Sequence, residues 1–190
     1  HISSAAELAP LRDARARGVD VTGETCPHYL MLGEADYARC GGVVRVNPPV
    51  RESTNNEPLW AALIDGSIDM IATDHAPHTP EEKTRADIWT VDCGFPGVET
   101  QMPLMLSEVA AGRFSISDYV RWSAVNPARV WGLYPRKGVI QPGADADLAE
   151  GLERHEHRPV GEEQPQGDQA AQQGVGVEEV EEGAGHLLVR

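Results

Sequence analysis

The chain has 190 residues, 41% hydrophobic and 24% charged, with a formal net charge of −14. This is enough for one α/β domain with a packed core and near the lower end for a complete (β/α)₈ barrel. The negative balance and the lack of any Lys/Arg cluster exclude a nucleic-acid or anionic-membrane partner on electrostatic grounds. Half of the net charge falls on residues 149–190, which contain 10 of the 30 acidic residues and only 3 of the 16 basic ones.

A capping-box pattern, Ser4 to Glu7, followed by Leu8, Leu11 and Ala14 at helical spacing, predicts a helix that ends at Gly18. Residues 19–25 alternate apolar and polar positions, the pattern of a strand, and Pro27 stops it. Residues 31–57 read as a long loop punctuated by Gly41-Gly42, Pro48-Pro49 and Asn55-Asn56. Leu59, Trp60, Leu63 and Ile64 mark a second helix. A strand over 68–73 then runs straight into Asp74-His75-Ala76-Pro77-His78. A loop over 79–87 and a Gly94-Phe95-Pro96-Gly97 turn lead to helices over 98–111 and 116–122, and to a short helix over 123–131 interrupted at Asn126-Pro127.

From Ala149 onward there is no aromatic residue, Ile or Met, and eight Leu or Val stand among 42 residues. Such a segment buries too little apolar surface to offset about 1–2 kcal/mol of backbone entropy per residue, so a disordered acidic tail is expected over 149–190. Cys26, Cys40 and Cys93 are odd in number and lack a CxxC spacing, as in a reduced, cytoplasmic protein. No apolar run is long enough to span a bilayer.

Three clusters carry potential chemistry. Asp74 at the carboxyl end of a strand can bind a divalent metal and move a proton, or it can simply cap the next loop. Glu24 to Tyr29 lies past the other strand, with His28 read as a packing histidine and Cys26 as a small buried residue. Val46 to Arg51 presents Asn47, a donor and acceptor suited to a cyclic amide edge, or forms only a turn.

Taken together, His1-Ile2-Ser3-Ser4, Glu24-Thr25-Cys26-Pro27-His28-Tyr29-Leu30, Val46-Asn47-Pro48-Pro49-Val50-Arg51, Ile71 to Thr79, Gly94 to Thr100 and Asn126-Pro127-Ala128 resemble the carboxyl-terminal part of the cyclic amidohydrolases. That group comprises the dihydroorotases, allantoinases and hydantoinases of the amidohydrolase superfamily. The resemblance implies an α/β fold: residues 1–148 as the end of strand six through strand eight, with the following helices, of a (β/α)₈ TIM-type metal-dependent hydrolase barrel.

It also implies His1 and Asp74 as ligands of one or two zinc-type metals. Asp74 would move a proton from a metal-activated water to the departing ring nitrogen. Asn47, His78 and the Gly94, Phe95, Pro96, Gly97 turn would contact the substrate. The HxH pair, the carboxylated Lys and the first five strands that the family also uses are expected outside this chain, which is therefore read as an incomplete fragment, inactive alone. The full-length protein is expected to be a homo-oligomer acting on a small cyclic ureide or amide.

Asn47 with His78 resembles the dihydroorotase pattern, the ring opening of dihydroorotate to N-carbamoyl-aspartate in pyrimidine synthesis. The stretch from Glu24 to Leu30 looks closer to allantoinase, and hydantoinase is a further alternative. A non-catalytic scaffold or relic is the reading of another class. The switch at Ala149 from family-like to Glu/Gln/Gly-rich sequence suggests a reading-frame shift.

Overall fold

The computed structural model describes residues 1–147, so the tail expected over 149–190 lies outside the described residues. Helix α1 (Leu8–Ala16) follows a 3₁₀ turn at Ala5–Glu7, where the Ser4 hydroxyl accepts the Ala6 N–H and Asn55 Oδ1 the Ala5 N–H. Strand β1 (Glu24–Thr25) runs into α2 (Pro27–Met31), with Pro27 in the first turn, where a missing N–H costs nothing. Helices α3 (Ala35–Cys40) and α4 (Asn56–Ile64) precede β2 (Met70–Ile71). The one-turn helix α5 (Pro80–Lys83), then α6 (Val98–Ala110), α7 (Ile116–Val120) and α8 (Asn126–Val130) complete the described residues.

The two strands pair in parallel, Glu24 opposite Met70 and Thr25 opposite Ile71. Both are shorter than the spans 19–25 and 68–73 that the alternation predicts. The reason lies in where the backbone groups go. Arg15 Nε donates to the Val21 carbonyl and the Gly23 N–H donates to Asp69 Oδ2 at 2.7 Å, so side chains replace the ladder ahead of β1. Parallel-type bonds still continue on either side of the strands, from Asp69 N to Gly23 O and from Ala72 N to Thr25 O.

Residues 31–57 contain α3 and two 3₁₀ turns, Gly41–Val44 and Ser53–Asn55, where a loop is expected. Asp36 accepts the Gly33 N–H and starts α3 as a local cap. Helix α5 likewise replaces part of the expected loop at 79–87. Its Thr79-Pro-Glu-Glu82 start is a capping box, with the Thr79 N–H donating to Glu82 Oε2 and the Glu82 N–H to Thr79 Oγ1. Nor does Asn126-Pro127 interrupt the last helix. A π turn at Arg121–Val125 widens the coil just ahead, so Pro127 enters in the first turn of α8.

The core packs α4 and the α6–α8 helices under the strands. Leu59, Leu63, Ile68, Met105 and Trp122 are all essentially inaccessible to water. Trp60, Phe114 and Trp122 form a run of rings with centroids 5.7 and 4.9 Å apart, and Trp60 Nε1 donates to the Leu30 carbonyl. This places α2, and through it the carboxyl end of β1, on a fixed base. Among the described residues no helix is long and apolar enough to cross a membrane.

His28 is buried on α2, with its ring edge-on to Tyr29 at 4.2 Å and to Phe95 at 4.8 Å. Its Nε2 has no hydrogen-bond partner among the described residues. Burial lowers its pKa to about 4, from an ordinary 6.5. Above pH 6.5 the ring is neutral folded and unfolded, so it contributes no pH dependence. As pH falls from 6.5 to 4 only the unfolded chain takes up the proton, and stability falls by about 1.4 kcal/mol per unit. Denaturant titrations of the parent and His28→Gln between pH 7 and 4 check this: the variant is expected to lack this part of the acid loss.

Candidate active site

The amino-terminal residues lie along β1. The Ile2 N–H donates to the Glu24 carbonyl and Thr25 Oγ1 donates to the Ile2 carbonyl, each at 2.8 Å. This brings His1 level with the carboxyl ends of β1 and β2, the end at which parallel α/β sheets place their ligands. His1 Nε2 is 3.2 Å from Asp74 Oδ1, and His1 Nδ1 is 2.5 Å from Glu24 Oε1. The buried Cys26 thiol lies 3.6 Å from the same Nδ1, and burial pushes its pKa far up, so it stays protonated.

Asp74 is the one non-glycine residue with positive φ among the described residues, at 48°. Asp tolerates this left-handed region better than most side chains, and strained backbone of this kind clusters at functional sites. Its carboxyl pKa is raised, mainly by burial, with the Glu24 carboxylate adding to the rise.

A divalent metal fits the pair His1 and Asp74. When Nδ1–H donates to Glu24, Nε2 carries a lone pair and faces a carboxylate oxygen at 3.2 Å, an arrangement favourable only with a proton or cation shared between them. Two donors held about 2.0–2.2 Å from one zinc ion at a tetrahedral angle would be spaced about 3.3 Å apart. A second convergence, His78, Glu82 and Asp92, has ligand-type atoms within 4.8 Å of one another. There Glu82 already accepts from Thr79 and Asp92 pairs with Arg85, so its carboxylates are engaged.

The loops expected at the substrate are joined at a single carbonyl. Arg45 O accepts from Lys83 Nζ at 2.8 Å and from the Gly94 N–H at 2.9 Å, while Lys83 Nζ also donates to the Asp92 carbonyl. Arg45 itself donates to the Ile88 and Val91 carbonyls. Asn47, two residues on, is exposed, with no hydrogen bond from its side chain among the described residues, and Tyr29 OH fixes the adjacent Pro48 carbonyl. His78 Nε2 donates to the Cys93 carbonyl and Nδ1 faces Glu82 at 3.3 Å. No hydrogen bond joins Asn47 to His78.

The turn Gly94 to Gly97 is tied to the end of β2. Phe95 bridges His75, and the N–H groups of Gly97 and Val98 both donate to His75 Nδ1. The His75 ring thus caps the start of α6. Replacing His75 with Ala is expected to cost about 1 kcal/mol, as for other helix caps, and to raise protease sensitivity at 94–98. Limited proteolysis with a thermal melt checks both.

The sequence names Glu24 only as part of a motif, without a role, and singles out neither Lys83 nor Arg45. For Glu24 a signal exists: on a strand, residues 24 and 26 share a face, so a carboxylate two positions before Cys26 points the same way. For Lys83 and Arg45 none exists, because their partners are carbonyls set by loop conformation.

Two parallel strands with His1 and Asp74 meeting beyond their carboxyl ends, and a Gly94 to Gly97 turn tied to His75, make up the candidate site. Residues 8–150 match the amidohydrolase family, and the chain belongs to that family. It is 48% identical over 136 residues to a dihydroorotase of Halobacterium salinarum, covering 72% of this chain and 32% of that protein. It is 41% identical over 149 residues to an allantoinase of Streptomyces avermitilis, covering 78% and 33%. Among solved structures, the L-hydantoinase (dihydropyrimidinase) from Arthrobacter aurescens superposes with a TM-score of 0.74 at 36% identity, over 80% of this chain and 35% of that one. The chain spans about a third of the length of the relatives it matches. The family expected from the sequence motifs is the family found.

Proposed function

We propose that this chain supplies the end of strand six through strand eight of a (β/α)₈ barrel in a zinc-type, metal-dependent hydrolase that opens a cyclic amide ring. The observation that carries this reading is the approach of His1 Nε2 and Asp74 Oδ1 beyond the ends of two parallel strands. A divalent ion there supplies an activated water and polarises the ring carbonyl. Asp74 would take up the water's proton and pass it to the departing ring nitrogen. The unpaired Asn47 amide offers a donor and an acceptor to the ring amide, and His78 and the Gly94 to Gly97 turn border the same ring.

Dihydroorotate is the preferred substrate because Asn47 and His78, the side chains that the resemblance puts nearest the ring, follow the dihydroorotase pattern. Relatives named dihydroorotase and allantoinase are both close, so the ring is decided by turnover. The test is a form extended upstream to supply the remaining strands, assayed for bound zinc and for hydrolysis of dihydroorotate, allantoin and hydantoin. Zinc and preferential turnover of dihydroorotate are expected. Turnover of another ring transfers the assignment to that ring, and neither metal nor turnover overturns the reading in favour of a non-catalytic scaffold.

A further inference from the structure

We propose that Glu24 is the positioning residue that holds His1 in the tautomer and ring orientation needed to bind the metal; this inference rests on the hydrolase reading above. Imidazole has two edges. Glu24 Oε1 occupies one, 2.5 Å from Nδ1, and Asp74 Oδ1 stands at the other, 3.2 Å from Nε2. A carboxylate accepting the Nδ1–H leaves the lone pair on Nε2, on the Asp74 side, and makes that nitrogen a stronger donor.

Glu24 is suited to the task by its backbone. Its carbonyl accepts the Ile2 N–H, so the segment bearing His1 and the residue orienting it are registered by one main-chain bond. The pairing of Glu24 with Met70 then fixes β1 against the strand that leads to Asp74. Three elements, each with its own side chain, therefore set one angle, that between the His1 ring plane and the Asp74 carboxylate. Glu24 does not serve as a direct ligand of the same ion, because it faces the opposite edge of the ring. Cys26 is a poor substitute: it is farther from Nδ1, and burial keeps its thiol neutral.

The experiment uses the upstream-extended, metal-free protein and its Glu24→Gln and Glu24→Leu variants. Zinc affinity is measured by competition with a chelator, and ¹⁵N spectra of the histidine rings report the tautomer. Glu24→Gln keeps a neutral acceptor and Glu24→Leu removes it. Zinc binding is expected to weaken by about 10-fold in the first and toward 100-fold in the second, the range for loss of such a partner. Once zinc is added, the parent His1 ring is expected to carry its proton on Nδ1 and bind through Nε2, and the leucine variant to show ligation through either nitrogen. Metal-free melting temperatures are expected to change little, since Glu24 and His1 are both partly solvated.

Zinc affinities within twofold of the parent in both variants, or a zinc-loaded parent whose His1 ring carries its proton on Nε2, would overturn the proposal. A parent that binds no zinc at all overturns the hydrolase reading together with it, whereas equal binding by parent and variants removes only the role of Glu24.

Discussion

Asp74→Asn in the upstream-extended protein is expected to lower kcat by at least about 10²- to 10⁴-fold, the usual worth of a positioned acid/base, with further loss because a metal donor goes with it. Asparagine is the informative substitution because it also tolerates the left-handed backbone that Asp74 adopts at φ 48°. Alanine there adds about 1–2 kcal/mol of backbone strain to the loss of the carboxylate. The two variants are thus expected to share the loss of turnover and differ in melting temperature, alanine being the lower. Zinc content measured alongside separates lost metal from lost proton transfer: an asparagine variant that retains zinc but not turnover isolates the proton. Near-normal kcat in Asp74→Asn would rule out the role given to Asp74.

The same site shows what the sequence could and could not say. The position of Asp74 just past a strand was legible from the residues, because the strand leading to it is apolar and bounded by Gly66 and Pro77, whereas His1 stood out only through the family resemblance. The helix over Leu59 to Ile64 and the one from Val98 were legible from periodicity, and both form. The strands were overextended because alternation at 19–23 reports side-chain facing, not the fate of the backbone groups, and Arg15 and Asp69 take those groups instead. The loop at 31–57 hid a helix because its start signal, Asp36 accepting from Gly33, acts three residues back. Lys83 stands in the stretch expected as a polar loop, yet it is buried and donates to two carbonyls, which draws Arg45 and Asp92 together. Its lowered pKa follows from that burial.

Gly97→Ala is expected to damage the turn that packs against Thr73, the residue before Asp74. A Cβ at Gly97 would stand 2.5 Å from the Thr73 carbonyl oxygen and 3.1 Å from the Thr73 Cβ. The nearer atom is backbone, so the clash cannot be relieved by rotating a side chain. Either the 94–98 turn lifts, breaking the bonds from Gly97 and Val98 to His75, or Thr73 moves and takes Asp74 with it. Overpacking of this kind costs about 1–3 kcal/mol. A displacement of about 1 Å at a reacting group can cost on the order of 10²-fold in rate. The control is Gly18→Ala: Gly18 has φ +79° and nothing within 4 Å of an added Cβ, so its substitution brings left-handed strain without a clash, whereas Gly97 at φ −130° meets the clash alone. Both variants are expected to melt lower than the parent, but only Gly97→Ala is expected to lose turnover, by about 100-fold, with zinc still bound. Equal turnover in the two would mean that the turn does not hold Asp74 in place, and that the approach of Gly97 to Thr73 serves packing alone.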